Sequence, residues 1–370
     1  MNIGFDAKRA FLNRTGLGNY SRWLINGLAK LHTENKYLLY TPKLSTLYAP
    51  KGLNTFVKTP TLRLFTSRWR ASGIIRDLKR DEIDLYHGLS HELPFGLKRT
   101  GIKGIVTVHD VIFMRYPQYF KAIDRFFYKA KLKVACRESD RIVAMSQKTK
   151  DDIVDIFGTN PAKIEVIYQG CDPAFKVEAG LDKLEEVRKR YNLPEKYLLN
   201  VGTIEERKNL LLLERSLRNI PDIKLVVVGK ITKYLDEVQI FIAQNQLRER
   251  VIFLHNVPFA DLPAIYQGAA CFIYPSRYEG FGIPILEALV SKVPVIAATG
   301  SCLEEAGGPD SIYVDPDDDR ALAKAINSLL SDEQLRNKMI IAGLNYSANF
   351  DDEKLIQQYA KLYQQVLDHA

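Results

Sequence analysis

Short apolar runs recur along the chain, separated by longer stretches in which apolar residues fall three and four apart. In the first half the runs lie at 3–6, 37–40, 84–87, 105–109, 141–144 and 164–168; in the second they lie at 198–201, 224–229, 251–254, 271–274, 294–297 and 312–314. Runs of this length, rich in Val, Ile, Leu, Tyr and Phe and bounded by turn residues, read as buried strands, and the stretches between them read as helices. Regular alternation of the two predicts an α/β architecture with parallel sheets. The final periodic stretch, 352–367, puts Leu355, Ile356, Tyr359, Leu362, Tyr363 and Val366 on one face, and predicts a terminal helix.

The two sets of strands are separated by Gly170-Cys-Asp-Pro-Ala-Phe175 and a charged stretch running to about Pro194. This divides the chain into one α/β domain at 1–175 and a second at 190–350. Parallel sheets bind ligands beyond the C-terminal ends of their strands, so two such domains facing one another would leave a cleft between them. The chain's unusual loops follow those strand ends.

Composition narrows the class. At 370 residues and 46% hydrophobic content the chain can bury two cores. Cysteines at 136, 171, 271 and 302 form neither a metal-type pair nor a disulfide framework, which favours a reducing cytoplasm. The N-terminus has no basic region followed by an apolar stretch, and no run of 18 apolar residues occurs, so neither a signal peptide nor a membrane span is expected. Charge is uneven: residues 1–180 carry 30 Lys and Arg against 17 Asp and Glu, whereas residues 181–370 carry 22 against 27. Much of the excess lies between Arg63 and Arg80 and in 119–133, a predicted basic helix with an aromatic face. Such a helix could rest on the inner face of the cell membrane or receive an acidic lipid-linked acceptor. It could equally pack its aromatic face on its own domain. No recognition motif accompanies the basic residues, so nucleic acid is not an expected partner.

The segment 276–289, Ser-Arg-Tyr-Glu-Gly-Phe-Gly-Ile-Pro-Ile-Leu-Glu-Ala-Leu, holds the most specific chemistry. The run at 271–274 ends at Pro275, and Pro284 suits the first turn of a helix whose apolar face is Ile285, Leu286 and Leu289. Glu279 then falls in the strand-to-helix loop and Glu287 in the first turn. Gly280 and Gly282 allow close approach of the main chain to a ligand, and the free N–H groups of a helix start favour an anion such as a diphosphate. Carboxylates repel phosphate but accept from hydroxyls, so their partners are diols of a ribose or a hexose. A nucleotide-sugar offers all of these groups. Glu287 could instead simply complement the helix dipole.

Four other loops follow predicted strands. Gly16 and Gly18 precede a helical run from about Asn19, His109 and Asp110 close the run at 105–109, and Arg207 and Lys208 stand before a helical run at 210–217. A guanidinium and an ammonium side by side suit the two phosphates of a leaving diphosphate, although they could be a surface pair. His109 could donate to a sugar hydroxyl or act as acid or base, according to its tautomer. The loop at 255–257, ending at Val257, could from its place after a strand meet a nucleotide base.

Together, Gly16 and Gly18, His109-Asp110, Gly202 with Arg207-Lys208-Asn209, and the Glu279-to-Glu287 segment resemble the retaining glycosyltransferases of family 4, which have the two-Rossmann GT-B fold. The resemblance runs from about residue 2 to 365 and extends to bacterial mannosyltransferases of surface-polysaccharide synthesis. Prolines common in that family are replaced here by Glu206 and Glu304, without loss of a functional side chain.

The resemblance implies that Glu279 contacts hydroxyls of the donor sugar and that the Gly280, Phe281 and Gly282 amides meet sugar and phosphate. Glu287 would hold the ribose, Arg207 and Lys208 would stabilise the leaving diphosphate, and His109 would lie near the reacting carbon. The loop of Gly16 and Gly18 would close over the phosphates, and the terminal helix would cross back to the first domain. The implied donor is GDP-mannose or a UDP-sugar, the acceptor a glycan or lipid-linked glycan, and no metal or other cofactor is expected. A nucleotide-sugar epimerase of the same architecture and a non-catalytic nucleotide-sugar-binding protein are the alternatives.

Overall fold

Every apolar run read as a strand lies on one. The computed structural model describes residues 1–61, 65–220 and 222–368; Arg63, at the head of the first basic stretch, lies outside them. The chain divides into two units, Met1–Gln169 with Asp351–Ala370, and Gly170–Phe350.

In the first unit β1 (Asn2–Asp6), β2 (Lys36–Tyr40), β3 (Thr55–Lys58), β4 (Leu85–Gly88), β5 (Lys103–Val108), β6 (Arg141–Ala144) and β7 (Ile164–Val166) form one sheet. Its order is β3-β2-β1-β4-β5-β6-β7, with every pairing parallel. The second unit's sheet contains β8 (Tyr197–Val201), β9 (Lys224–Val228), β10 (Val251–Leu254), β11 (Cys271–Tyr274), β12 (Val295–Ala298) and β13 (Ile312–Val314). Its order, β10-β9-β8-β11-β12-β13, is again fully parallel. Each sheet reverses direction beside its first strand, at β1/β4 and at β8/β11. Such switch points are where doubly wound sheets open a crevice beyond their carboxyl ends.

Strand β3 was not legible in the apolar pattern. It is an edge strand whose Phe56 and Val57 are exposed, so no buried run marks it. His109 lies just beyond β5 rather than closing it.

Five helices matter for function: α1 (Gly16–Leu31), α2 (Ala122–Glu138), α3 (Leu210–Leu217), α4 (Ile283–Val290) and α5 (Asp352–Asp368). The face expected for the terminal helix is the one buried: Leu355, Ile356, Tyr359, Leu362, Tyr363 and Val366. These residues pack within the first unit, where a line of polar groups crosses the core. Thr107 Oγ1 is 2.7 Å from Tyr20 OH and 2.8 Å from His87 Nε2. Tyr359 OH lies 2.9 Å from Tyr20 OH, and Tyr363 OH lies 2.6 Å from His87 Nδ1. All five side chains are shut off from solvent, and each finds a partner, as buried polar groups must.

Candidate active site

Arg207 and Lys208 follow β8, and Glu279 follows β11, so the switch point of the second sheet brings them together. Residues 206–208 form a single 3-10 turn that ends in a left-handed Asn209. The Asn209 side chain fixes the turn by donating to the Pro275 carbonyl at 3.2 Å and the Pro316 carbonyl at 2.7 Å. The backbone N–H of Arg277 adds a bond to the Arg207 carbonyl at 2.9 Å. The loops after β8 and β11 are therefore held as one piece.

Within that piece a single oxygen, Glu279 Oε1, receives four donors. Lys208 Nζ lies at 2.5 Å, Ser276 Oγ at 2.6 Å, Arg207 Nη1 at 2.9 Å and Tyr274 OH at 3.2 Å. Oε2 takes no part in these bonds. Lys208 Nζ also donates to Tyr274 OH at 2.5 Å, and Arg207 donates to Glu205 at 2.6 Å and to the Tyr278 carbonyl. Burial alone would raise the Glu279 carboxyl, but Lys208 and Arg207 outweigh it and carry the carboxyl down to about 2. Burial lowers the Lys208 ammonium, with Glu279 opposing the shift. The cluster is a charged, largely desolvated array whose bonds to Glu279 all converge on Oε1.

Gly282 precedes α4 at φ +127°, a conformation open to glycine, and a Cβ there would also press against Ala306 and Leu303 at 3.2 Å. Cys302 braces the same loop, with Sγ 3.1 Å from the Glu279 carbonyl and 3.0 Å from the Phe281 carbonyl. The Phe281 ring is buried and lies 5.4 Å from that of Phe350. Gly280 occupies the loop between Glu279 and Phe281, partly exposed.

Glu287 is the fifth residue of α4, not a first-turn residue, which removes the dipole explanation for it. Its Oε2 accepts from Tyr266 OH at 2.8 Å. Burial pushes this carboxyl up to about 7, with the Tyr266 bond acting in the opposite sense. Val257 lies in the loop after β10, which is tied to the end of β9 by His255 Nδ1, 3.2 Å from the Gly229 carbonyl. Among the described residues no hydrogen bond or ion pair joins Glu287 or Val257 to the Glu279 cluster.

In the first unit, His109 Nε2 lies 2.9 Å from the Leu89 carbonyl, which can only accept, so Nε2 carries the proton. Burial and then the neighbouring His91 push the imidazole down to about 3. The ring is therefore neutral, with Nδ1 as an acceptor. Tyr20 fixes its plane by an edge contact at 4.6 Å between ring centres. Gly16 and Gly18 do not precede the helix but begin it. Asn13 Oδ1 caps the turn, accepting from Thr15 N at 2.8 Å and Gly18 N at 3.2 Å. A Cβ on Gly18 would sit 1.9 Å from the Asn13 carbonyl oxygen, whereas one on Gly16 would meet nothing within 4 Å.

Tyr274, Ser276 and Cys302 were missed in the sequence. Tyr274 and Ser276 stand at the end of a strand and just beyond Pro275, a placement that could have signalled them. Cys302 is distant in sequence and carries no such signal. All four cysteines are free and buried, and among the described residues no cluster of His, Cys, Asp or Glu is arranged to hold a metal ion.

Comparison with known proteins places these features in a family. A model for Glycosyltransferase Family 4 matches residues 15–175, and one for Glycosyl transferases group 1 matches residues 183–346. The O-antigen chain mannosyltransferase RfbU of Salmonella typhimurium is 30% identical over 93% of this chain and 94% of its own. The O-antigen chain mannosyltransferase B of Escherichia coli is 28% identical over 98% and 99%. The sucrose-phosphate synthase of Thermosynechococcus elongatus, 19% identical, superposes with a TM-score of 0.81 over the full length of both chains. Two doubly wound parallel sheets, a terminal helix returned to the first unit, and this degree of likeness to its relatives establish that the chain is a glycosyltransferase of family 4 with the GT-B fold.

Proposed function

We propose that the enzyme transfers a hexose, mannose before others, from a nucleoside diphosphate to a hydroxyl of a glycan or lipid-linked glycan, with retention at the anomeric carbon. GDP-mannose is the favoured donor and a UDP-sugar the next. The observation that supports this reading is the cluster of Arg207, Lys208 and Glu279, whose two cations suit a diphosphate and whose Oε2, outside the cluster's bonds, suits a sugar hydroxyl. The names of the two O-antigen mannosyltransferases support the choice of sugar.

In this mechanism the bond between the anomeric carbon and the diphosphate oxygen breaks, and Lys208 and Arg207 take up the charge gathering on the leaving group. Glu279 Oε2 accepts from a sugar hydroxyl while Oε1 keeps the cations in place. The Gly280, Phe281 and Gly282 loop approaches the sugar and phosphate, Glu287 grips the ribose, and the Val257 loop lies towards the base. His109 Nδ1 accepts from a donor hydroxyl, and Gly16 offers its amide to phosphate at the helix start, where the Gly18 amide is already bonded to Asn13 and Thr15. The acceptor oxygen attacks on the face the diphosphate leaves, and the departing phosphate oxygen takes its proton. Charge on the leaving group is met by protein cations, without a metal or other cofactor.

A thermal-shift panel of GDP, UDP, ADP and TDP tests the base, since a ligand that binds only the folded chain raises its melting temperature. GDP is expected to give the largest rise. Incubation with the sugar nucleotide alone tests the reaction class: an epimerised sugar in that sample would overturn transfer, and nucleotide binding without turnover on any acceptor would leave only a binding protein.

A further inference from the structure

Helix α2 has two apolar faces. Leu132, Ala135 and Cys136 pack into the first unit, but Ile123, Phe126, Phe127 and Ala130 repeat at helical spacing on the opposite side. Those large side chains meet solvent: Ile123 is 65% exposed, Phe126 70% and Phe127 54%. Exposed aromatics grouped on one stripe are unusual on a folded surface, and they mark a place that another phase or molecule covers.

Basic groups surround the stripe. Residues 119–133 contain five Lys and Arg and a single acid, Asp124. Lys131 is paired with Glu92 at 3.0 Å. Lys121, Arg125, Lys129 and Lys133 make no side-chain hydrogen bond or ion pair among the described residues. Arg125 and Lys129 line a hollow of about 310 Å³ shared with Phe113, Met114, Pro117 and Phe126. Arg125 Nε is buried there with no hydrogen-bond partner. A half-buried guanidinium with one N–H buried and unpaired beside apolar side chains suits an anion with an apolar attachment.

We infer that α2 is a peripheral docking surface for an anionic phospholipid bilayer. Phe126, Phe127 and Ile123 enter the interface, Arg125 takes a headgroup phosphate in its hollow, and Lys121, Lys129 and Lys133 face the charged surface. Phe and Ile side chains on an interfacial helix enter the boundary between headgroups and acyl chains, and basic residues near an anionic leaflet each strengthen attachment. Among the described residues no helix is long and apolar enough to cross a membrane, so this contact lies on the surface. A protruding ring stripe with cations fits a yielding lipid interface better than it fits a preformed partner groove.

Flotation of the full chain with vesicles tests the inference. Vesicles of phosphatidylglycerol and phosphatidylcholine should carry the protein upward, pure phosphatidylcholine vesicles should carry far less, and salt should weaken the binding. Phe126→Ser with Phe127→Ser should weaken binding at least about tenfold, and so should Arg125→Ala with Lys129→Ala, because both the apolar and the charged contributions are needed. Unchanged melting temperature and nucleotide binding show that the variants are folded. Absence of anionic-vesicle binding, or equal binding by the variants, overturns the inference. So does a chain that sediments as a dimer, becomes monomeric in the Phe126/Phe127 variant and ignores vesicles. Nucleotide binding is measured separately, so failure of the donor reading and failure of this one remain distinct.

Discussion

Glu279 organises its neighbours through one oxygen, and its substitution affects more than a sugar contact. Glu279→Ala removes the acceptor for Lys208, Arg207, Ser276 and Tyr274 together. Lys208→Ala removes the ammonium while leaving Glu279 paired with Arg207. Each variant should lose at least about 10²-fold in transfer rate, the scale of losing one charge-stabilising group, while keeping a cooperative melt. Steady-state rates beside calorimetry check both outcomes. Glu287 predicts a pH effect. Its folded value of about 7 lies above the ordinary 4.5, so between those values the folded chain retains a proton that the unfolded chain has released. This side chain therefore costs stability progressively as pH rises from 4.5 to 7. Its ionised form is the one proposed to hold ribose, so nucleotide affinity should rise several-fold between about pH 6 and pH 8 and flatten in Glu287→Gln. Titration calorimetry at several pH values decides it. These roles were only partly legible in the chain. The Glu-x7-Glu spacing and the Arg-Lys pair are local signals, whereas the sharing of one oxygen depends on two loops 71 residues apart meeting at a sheet reversal.

Helix α3 shows how an element can contain what its sequence pattern hides. Leu210, Leu212, Leu213 and Leu217 bury as an apolar helix should, but Glu214 is buried with them, and neither carboxyl oxygen has a hydrogen-bond partner. Burial raises this carboxyl to about 9, so the folded chain keeps it protonated across pH 4.5 to 9, and its cost to stability grows over that window as pH rises. At pH 7 the cost is on the order of 3 kcal/mol. Glu214→Leu should raise the melting temperature by about 5 °C or more near pH 8, and by less near pH 5, in calorimetric scans. A single acid among leucines reads as an outward position, and only the packing shows that it points inward. The start of α1 gives the converse case. Gly16 and Gly18 look interchangeable in sequence, but only Gly18 faces a carbonyl with no room for a Cβ. Gly18→Ala should lower the melting temperature clearly, while Gly16→Ala should fold normally; parallel thermal melts separate the two.

At the scale of the whole molecule, the alternation of apolar runs and helical stretches was enough to indicate two parallel sheets, because strands buried on both faces leave an unbroken apolar signature. Edge strand β3 lacks that signature, since Phe56 and Val57 are exposed. The aromatic side of α2 also escaped a firm reading, because composition cannot distinguish a ring that packs from one that protrudes. The terminal helix was readable from its periodicity, and its return to the first unit came from family likeness rather than from pattern. A chain ending at residue 350 would lose Tyr359 and Tyr363 from the buried line through Tyr20, Thr107 and His87. Three or more large buried side chains would go with them, each worth about 2 kcal/mol, so the first unit of the truncated chain should melt earlier and be cut first by protease. The same crossing governs the order of assembly during synthesis. When residue 169 leaves the ribosome, the tyrosines that finish the first unit's core have not been translated, so this unit cannot complete its core until the whole of the second has been made.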